Sequence, residues 1–408
     1  MPGFFLKVGA AVVLAAVACI ASAEEGPSAL IERGRYLATA SNCAACHTQP
    51  GGAPFAGGVP FVTKLGTIYS TNITPEPDTG IGRWTAKDLR RAMHDGIAPS
   101  GSHLFPAFPY PSFTLVSDED VDAIYAYLRS LEPQHYLPPP NSFPLRQRWA
   151  MAVWNSLFFE PGRFAKDPSK SEEWNRGAYL VQGPAHCGAC HTPRNALLAE
   201  RKAEAFTGGT LQSDLGGGVF RQWAAVDLSP SKEGLSAWSV DDLARYLRSG
   251  FSAKAGTFGP MNEVIVNSMK ELSPEDVHAM AVYLKDLPAR PRANGSAPSS
   301  EEIAAGQPIY KRHCESCHGG SGRGGMFSGP PLAGSAIVQS DNPASLINVI
   351  LYGADVPPGV QTGSWETMKP YREVLDDAGI ASLANFLRGS WSNRARPVSA
   401  SDVARQRR

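Results

Sequence analysis

The chain has 408 residues, with 38 basic and 38 acidic side chains that cancel to a formal net charge of zero. That balance argues against a polybasic surface and against nucleic acid as a partner, and 43% hydrophobic residues exclude wholesale disorder. The length exceeds one ordinary core and calls for several domains, while 40 glycines and 34 prolines call for long ordered loops between them. At the amino terminus Lys7 precedes an apolar run, Val8 to Ile20, and Ala21-Ser22-Ala23 follows it. This is the layout of an export signal over residues 1–23, too short for a comfortable membrane span of about 20 apolar residues. An uncleaved anchor and lipid attachment at Cys19 are the two other readings. The mature chain is expected outside the cytoplasm.

The first unit, 24–133, opens on a helical segment containing Gly34-Arg-Tyr36-Leu37 and reaches Cys43-Ala-Ala-Cys46-His47. A Gly/Pro-rich stretch follows, then an amphipathic helix from Trp84 to Met93 with Gly96 as its stop residue. The last helix of the unit runs from Ser117 to Leu128, and Ser117-x-x-Asp120 has the capping-box pattern. A bridge, 134–172, begins with Pro138-Pro-Pro140 and carries Trp149, Met151, Trp154, Leu157 and Phe158 at near-helical spacing. It reads as a helix that packs between domains, or more sharply as one that docks on a membrane surface or a partner.

The same order of elements returns in 173–288: Gly177-Ala-Tyr179-Leu180, Cys187-Gly-Ala-Cys190-His191, a helix from Trp238 to Leu247 before Gly250, and a last helix from Ser273 to Leu284 that opens on a second capping-box pattern, Ser273-x-x-Asp276. After a linker at 289–300 it returns again in 301–391: Gly306 with Tyr310, Cys314-Glu-Ser-Cys317-His318, a helix from Asn342 to Ile350 before Gly353, and a last helix from Asp376 to Leu387. Tyr127, Tyr283 and Phe386 hold matching places and are expected to pack the last helix of each unit on its first. The tail, 392–408, is basic and reads as solvated, with anionic lipid as another contact.

Cys-x-x-Cys-His is the attachment signature of c-type haem. Two thiols on one face of a helical turn can add to the two vinyl groups of one porphyrin, and the adjacent imidazole then meets the iron. Zinc sites and redox dithiols also use Cys-x-x-Cys, but three copies that leave no cysteine unpaired in the mature chain favour haem. Cys43, Cys46, Cys187, Cys190, Cys314 and Cys317 are therefore expected to hold three covalently bound haem c groups, with His47, His191 and His318 as iron ligands. The predicted fold class is all-α: three tandem class I cytochrome c-like domains with long loops.

The second iron ligand is expected between the middle and last helices. Gly259-Pro260-Met261 supplies Met261 in the second unit, and Thr367-Met368-Lys369-Pro370 supplies Met368 in the third, where Met326 competes from the loop after the motif. Met269 and Met280 read as packing. In the first unit Phe108 stands where methionine is expected, and Met93 aligns with core positions. Ligation by His103, ligation by His94 and an open sixth site all remain for this haem.

The chain resembles the tri-haem cytochrome c subunits of membrane-bound periplasmic dehydrogenases, of the alcohol, gluconate, sorbitol, fructose and molybdenum aldehyde dehydrogenase types. The resemblance covers essentially the whole mature chain. It is carried by Gly66-Thr-Ile-Tyr-Ser-Thr-Asn-Ile73 with Gly80-Ile-Gly82, Phe105-Pro-Ala-Phe-Pro-Tyr110, Gln147-Arg-Trp149 to Phe158-Phe-Glu-Pro-Gly162, and Gly259-Pro-Met261. It implies that a separate catalytic subunit, with flavin, pyrroloquinoline quinone or molybdenum, delivers electrons that pass along the haems to ubiquinone or a terminal oxidase at the outer face of the cytoplasmic membrane. No Gly-x-Gly-x-x-Gly opens a strand–helix unit here, so none of those organic cofactors is expected on this chain. A haem enzyme acting at the first site, a peroxidase or small-molecule reductase, and a stand-alone soluble carrier are the alternative functions.

Overall fold

The structure, a computed structural model, describes residues 26–63, 66–142, 149–216, 219–290, 296–325, 328–360, 363 and 365–408. The export signal expected at residues 1–23 lies outside them, as does Met326. No helix among the described residues is long and apolar enough to cross a membrane.

Each unit is built on a pair of crossing helices: Pro27–Ala40 with Asp118–Ser130, Glu172–Gln182 with Pro274–Lys285, and Ser300–His313 with Asp377–Gly389. Glycine sets the depth of each crossing. A Cβ on Gly34 would overlap the Ala123 carbonyl oxygen, one on Gly177 that of Ala279, and one on Gly306 that of Ser382. In each pair the carbonyl lies six residues after the residue that caps the last helix: Ser117, Ser273 and Asp376. The aromatic residues pack on the first helices as expected: Tyr127 lies against Gly34, Tyr283 meets Trp174 at 5.2 Å, and Phe386 meets Tyr310 at 5.0 Å. Tyr127 also meets Phe55 of the following loop edge-on at 6.0 Å.

Local sequence fixes the helix ends. Thr85 and Ser239 open the middle helices, Ala86–Asp95 and Val240–Ser249, with complete capping boxes to Asp88 and Asp242. Gly96 and Gly250 close them in the left-handed region, at φ 65° and 75°. Ser117 and Ser273 cap the last helices through Asp120 N and Asp276 N, but only half of each expected box forms. The carboxylates of Asp120 and Asp276 are engaged elsewhere.

The all-α expectation needs correction. Pro60–Thr63 pairs antiparallel with Gly66–Tyr69, and Gly209–Asp214 with Phe220–Ala225. These residues follow the motifs, where the sequence reads as Gly/Pro-rich loop, yet Phe61, Val62, Ile68, Tyr69, Leu211 and Trp223 are strand formers that cover one another across the hairpins.

Buried apolar residues form two clusters. One runs through the first two units, from Leu37, Met93 and Ile124 to Leu180, Leu243 and Met280. The other belongs to the third unit and includes Tyr310, Leu346, Ile350, Ile380 and Leu383. The third unit meets the second through polar and apolar contacts: Ser345 Oγ donates to Ala224 O at 2.9 Å, Asn348 Nδ2 to Gln222 O at 2.7 Å, the Arg221 guanidinium lies 3.7 Å from the Tyr352 ring centroid, Phe251 meets Trp365 edge-on at 4.5 Å, and Val360 packs on the first cluster.

The bridge forms the helix Trp149–Phe158, and one side of it packs. Asn155 accepts from the Tyr110 hydroxyl at 2.5 Å, and Trp154 Nε1 donates to Leu197 O at 2.9 Å. Trp149, Val153 and Leu157 lie on the other side and are 65%, 49% and 65% exposed. The basic tail, expected to be solvated, is docked instead. Ala400–Arg407 is a helix with Val403 fully buried, and Arg407 Nε pairs with Asp377 at 2.5 Å.

Candidate functional site: three thiol–imidazole segments

Each Cys-x-x-Cys-His sequence makes one short helical turn: Cys43–His47, Gly188–His191 and Glu315–His318. In the first two units a residue in the left-handed region delivers the chain to the first cysteine, Asn42 at φ 52° and His186 at φ 39°. In the third, the helix Ser300–His313 runs directly into Cys314. None of the six thiols is in a disulfide. Burial pushes Cys43, Cys187 and Cys314 up to about 12 and Cys46 up to about 11, so these thiols keep their protons. Among the described residues no three His, Cys, Asp or Glu side chains gather as a metal-binding group.

The imidazoles share one arrangement. His47 Nδ1 lies 2.7 Å from Thr71 O, His191 Nδ1 lies 2.8 Å from Val226 O, and His318 Nδ1 lies 2.9 Å from Pro330 O. A carbonyl only accepts, so each Nδ1 carries the proton and each Nε2 presents its lone pair. Burial lowers the proton affinity of all three rings and keeps them neutral. A carbonyl placed there orients a metal-bound histidine and fixes its tautomer.

The accepting carbonyls escaped the sequence reading, although a signal for two of them is present. Thr71-Asn-Ile-Thr-Pro75 and Val226-Asp-Leu-Ser-Pro230 are copies of one turn. Asn72 Oδ1 accepts from Thr74 N at 2.9 Å, and Asp227 Oδ1 accepts from Ser229 N at 2.7 Å. Each side chain thereby locks the backbone immediately after the carbonyl that holds the histidine. In the third unit Asn393 does related work, donating to Leu332 O at 2.9 Å two residues beyond Pro330.

Met261 begins the helix Met261–Asn267, half-buried against the first cluster. Met368 is half-buried against the second cluster, and its carbonyl accepts from Ala354 N at 3.3 Å. Met269 and Met280 are buried core residues. In the first unit Phe108 stacks on Phe113 with centroids 5.3 Å apart, and Met93 is core at 4% exposure. His94 is 2% exposed, with Nδ1 3.7 Å from Asp118, and burial lowers it to about 4. His103 Nδ1 lies 3.4 Å from Asn155 Nδ2 of the bridge.

Unpaired thiols at the right spacing, beside an imidazole pinned at Nδ1, fit the covalent attachment of haem c. Comparison with known proteins agrees. A family model described as Cytochrome c matches residues 31–132, and one described as Cytochrome C oxidase, cbb3-type, subunit III matches residues 301–387. The alcohol dehydrogenase (quinone), cytochrome c subunit of Gluconacetobacter polyoxogenes is 39% identical, over 98% of this chain and 88% of its own length. The gluconate 2-dehydrogenase cytochrome c subunit of Pantoea cypripedii is 38% identical, over 94% of this chain and 91% of its own. The fructose dehydrogenase cytochrome subunit of Gluconobacter japonicus is 34% identical, over 92% and 82%.

Proposed function

Because the chain belongs to the family of cytochrome c subunits that serve alcohol, gluconate and fructose dehydrogenases, we propose that its three repeat units each bind one haem c and together carry electrons away from a dehydrogenase catalytic subunit. The donor is a flavin, pyrroloquinoline quinone or molybdenum subunit, and the acceptor is ubiquinone or a terminal oxidase. The observation that carries this reading is the threefold recurrence of a Cys-x-x-Cys-His turn whose imidazole is held through Nδ1 by a backbone carbonyl.

A haem c, when bound, supplies a one-electron iron couple. The residues do the rest. Cys43 with Cys46, Cys187 with Cys190, and Cys314 with Cys317 would hold the macrocycle. His47, His191 and His318 would give Nε2 to the iron, while the carbonyls behind them hold the rings in place. Met261 and Met368 would be the second ligands in the second and third units, a His–Met pairing that raises the potential. The apolar clusters beneath the turns keep water from the site.

The protein works in the periplasm, on the outer face of the cytoplasmic membrane. The exposed stripe of Trp149, Val153 and Leu157 supports this placement, with Leu197 and Leu198, 60% and 63% exposed, beside it. The helix Trp149–Phe158 bears no charge, and in the sequence Arg146 and Arg148 precede it. Indole, aliphatic and basic residues in that combination suit a lipid interface.

Native purification from membranes tests the assignment. A co-purifying dehydrogenase subunit and three haems per chain by pyridine haemochrome are expected; a lone chain with fewer haems contradicts it. Met261→Ala and Met368→Ala should each convert one haem from low spin to high spin. A full low-spin spectrum in either variant would overturn that ligand.

A further inference from the structure

Asp120 and Asp276 forgo their capping boxes because each is shared between two units. Asp276 Oδ2 accepts from the Tyr36 hydroxyl of the first unit at 2.6 Å, and Ser273 N donates to that hydroxyl at 3.2 Å. In return Asp120 Oδ2 accepts from the Tyr179 hydroxyl of the second unit, and Ser117 N donates to it at 3.3 Å. Each carboxylate is also held by an arginine of its own unit: Arg33 Nε reaches Asp120 at 2.8 Å, and Arg176 Nε reaches Asp276 at 2.7 Å. Exchanging the two units leaves this set of contacts unchanged, so a local two-fold relates them.

The third unit cannot take part. Ala305, Pro308 and Gly379 stand where the others have arginine, tyrosine and aspartate, counted from the crossing glycine and from the helix cap. Tyr310, one turn on from Gly306, turns inward and donates to Gly319 O at 2.6 Å.

The same interface carries the first two attachment segments. Ser268 Oγ of the second unit donates to Ala40 O, just before Cys43, at 3.3 Å. Helix Met261–Asn267 touches the turn Cys43–His47. From the other side, Phe113 meets His186, the residue before Cys187, edge-on at 5.4 Å.

We infer that Tyr36 and Tyr179 are positioning residues: by exchanging hydroxyls across the two-fold, they lock the Cys43–His47 and Cys187–His191 segments into one rigid pair. This rests on the haem-binding role proposed for those segments. A phenol donating to a buried, arginine-held carboxylate makes a strong directional bond, and two of them fix rotation as well as distance. Both tyrosines keep their protons, since burial raises them above the ordinary phenol range.

The test uses the full haem-loaded chain with a protease site placed in 143–148. Cutting there leaves the two units joined by non-covalent contacts alone. The nicked wild type should remain one particle in analytical ultracentrifugation and keep an exciton couplet in its Soret circular dichroism. Tyr36→Phe with Tyr179→Phe preserves both rings and removes both hydroxyls. It should raise the dissociation constant of the pieces at least about tenfold, from the loss of two bonds to charged acceptors, and weaken the couplet in the uncut chain. The single variants each keep one crossing and should lie between. Unchanged association and an unchanged couplet in the double variant would overturn the inference, as would nicked wild type that separates at once. Haem count, read on the same samples, reports separately on the attachment sites.

Discussion

Gly306 lies so close to Ser382 that the carbonyl oxygen of the serine occupies the place of a glycine Cβ. The third unit has its own apolar cluster, so strain introduced here has no second core to share it. Gly306→Ala should cost about 1–3 kcal/mol, the usual range for overpacking. Urea unfolding should split, with the third unit leaving first while the first two keep their spectrum. A single transition at the wild-type midpoint would contradict this.

The turn behind His191 predicts a potential shift. Asp227 holds Ser229 N at 2.7 Å and Ser231 Oγ at 2.9 Å, directly after the carbonyl that receives His191 Nδ1–H. Asp227→Ala should slacken that carbonyl, make the imidazole a poorer donor to iron, and raise the potential of one haem. Leaving a buried N–H unpaired should cost about 1–3 kcal/mol as well. Spectropotentiometry should find one of the potentials displaced upward and the others unmoved.

Acid stability should depend on Glu76. Its carboxylate accepts from Thr79 N at 2.5 Å and Thr79 Oγ1 at 2.7 Å, with His135 Nδ1 3.2 Å away. The Thr79 backbone N–H, then its hydroxyl, holds the group at about 2, below its ordinary 4.5. A depressed carboxylate binds fewer protons folded than unfolded. Its stabilisation is therefore complete above about 4.5 and is lost as pH falls toward about 2. Glu76→Gln should be less stable than wild type at neutral pH, and the gap should close across that window in chemical denaturation. A gap constant with pH would refute the assignment.

Membrane contact through the bridge helix is tested with vesicles of phosphatidylethanolamine and phosphatidylglycerol. Trp149→Gln and Leu157→Gln remove exposed apolar side chains and disturb no core. Each should weaken flotation with the vesicles by about tenfold or more, since burying such a side chain is worth about 1.5–3 kcal/mol. Flotation equal to wild type would shift the stripe's role to a protein partner.

Local signals in the sequence were enough for much of this molecule. The serine caps and the three Cys-x-x-Cys-His turns each depend on neighbours within a few residues, and all are in place. The exchange between Tyr36 and Asp276 joins positions 240 apart, and no periodicity reports on that. Ser117 and Ser273 illustrate the cost: a capping box is legible locally, but a stronger donor from another unit took its carboxylate. Composition misled at the tail, where many arginines hid two buried valines, Val398 and Val403, that seat it on the third unit. In the bridge, helical spacing located the helix, yet it could not tell Met151 and Trp154, which pack, from Trp149 and Leu157, which do not.

The separate apolar cluster of the third unit has a further consequence. A segment with an interior of its own, joined to its neighbour by Trp365 on Phe251, by Val360 and by a few polar side chains, can be exchanged for another that meets the same surface, with the interior of what remains intact. The first two units have no such freedom, because their interior is common property. Chains of this kind should therefore diversify from the carboxy-terminal end, trading one terminal module for another while the paired half is inherited whole.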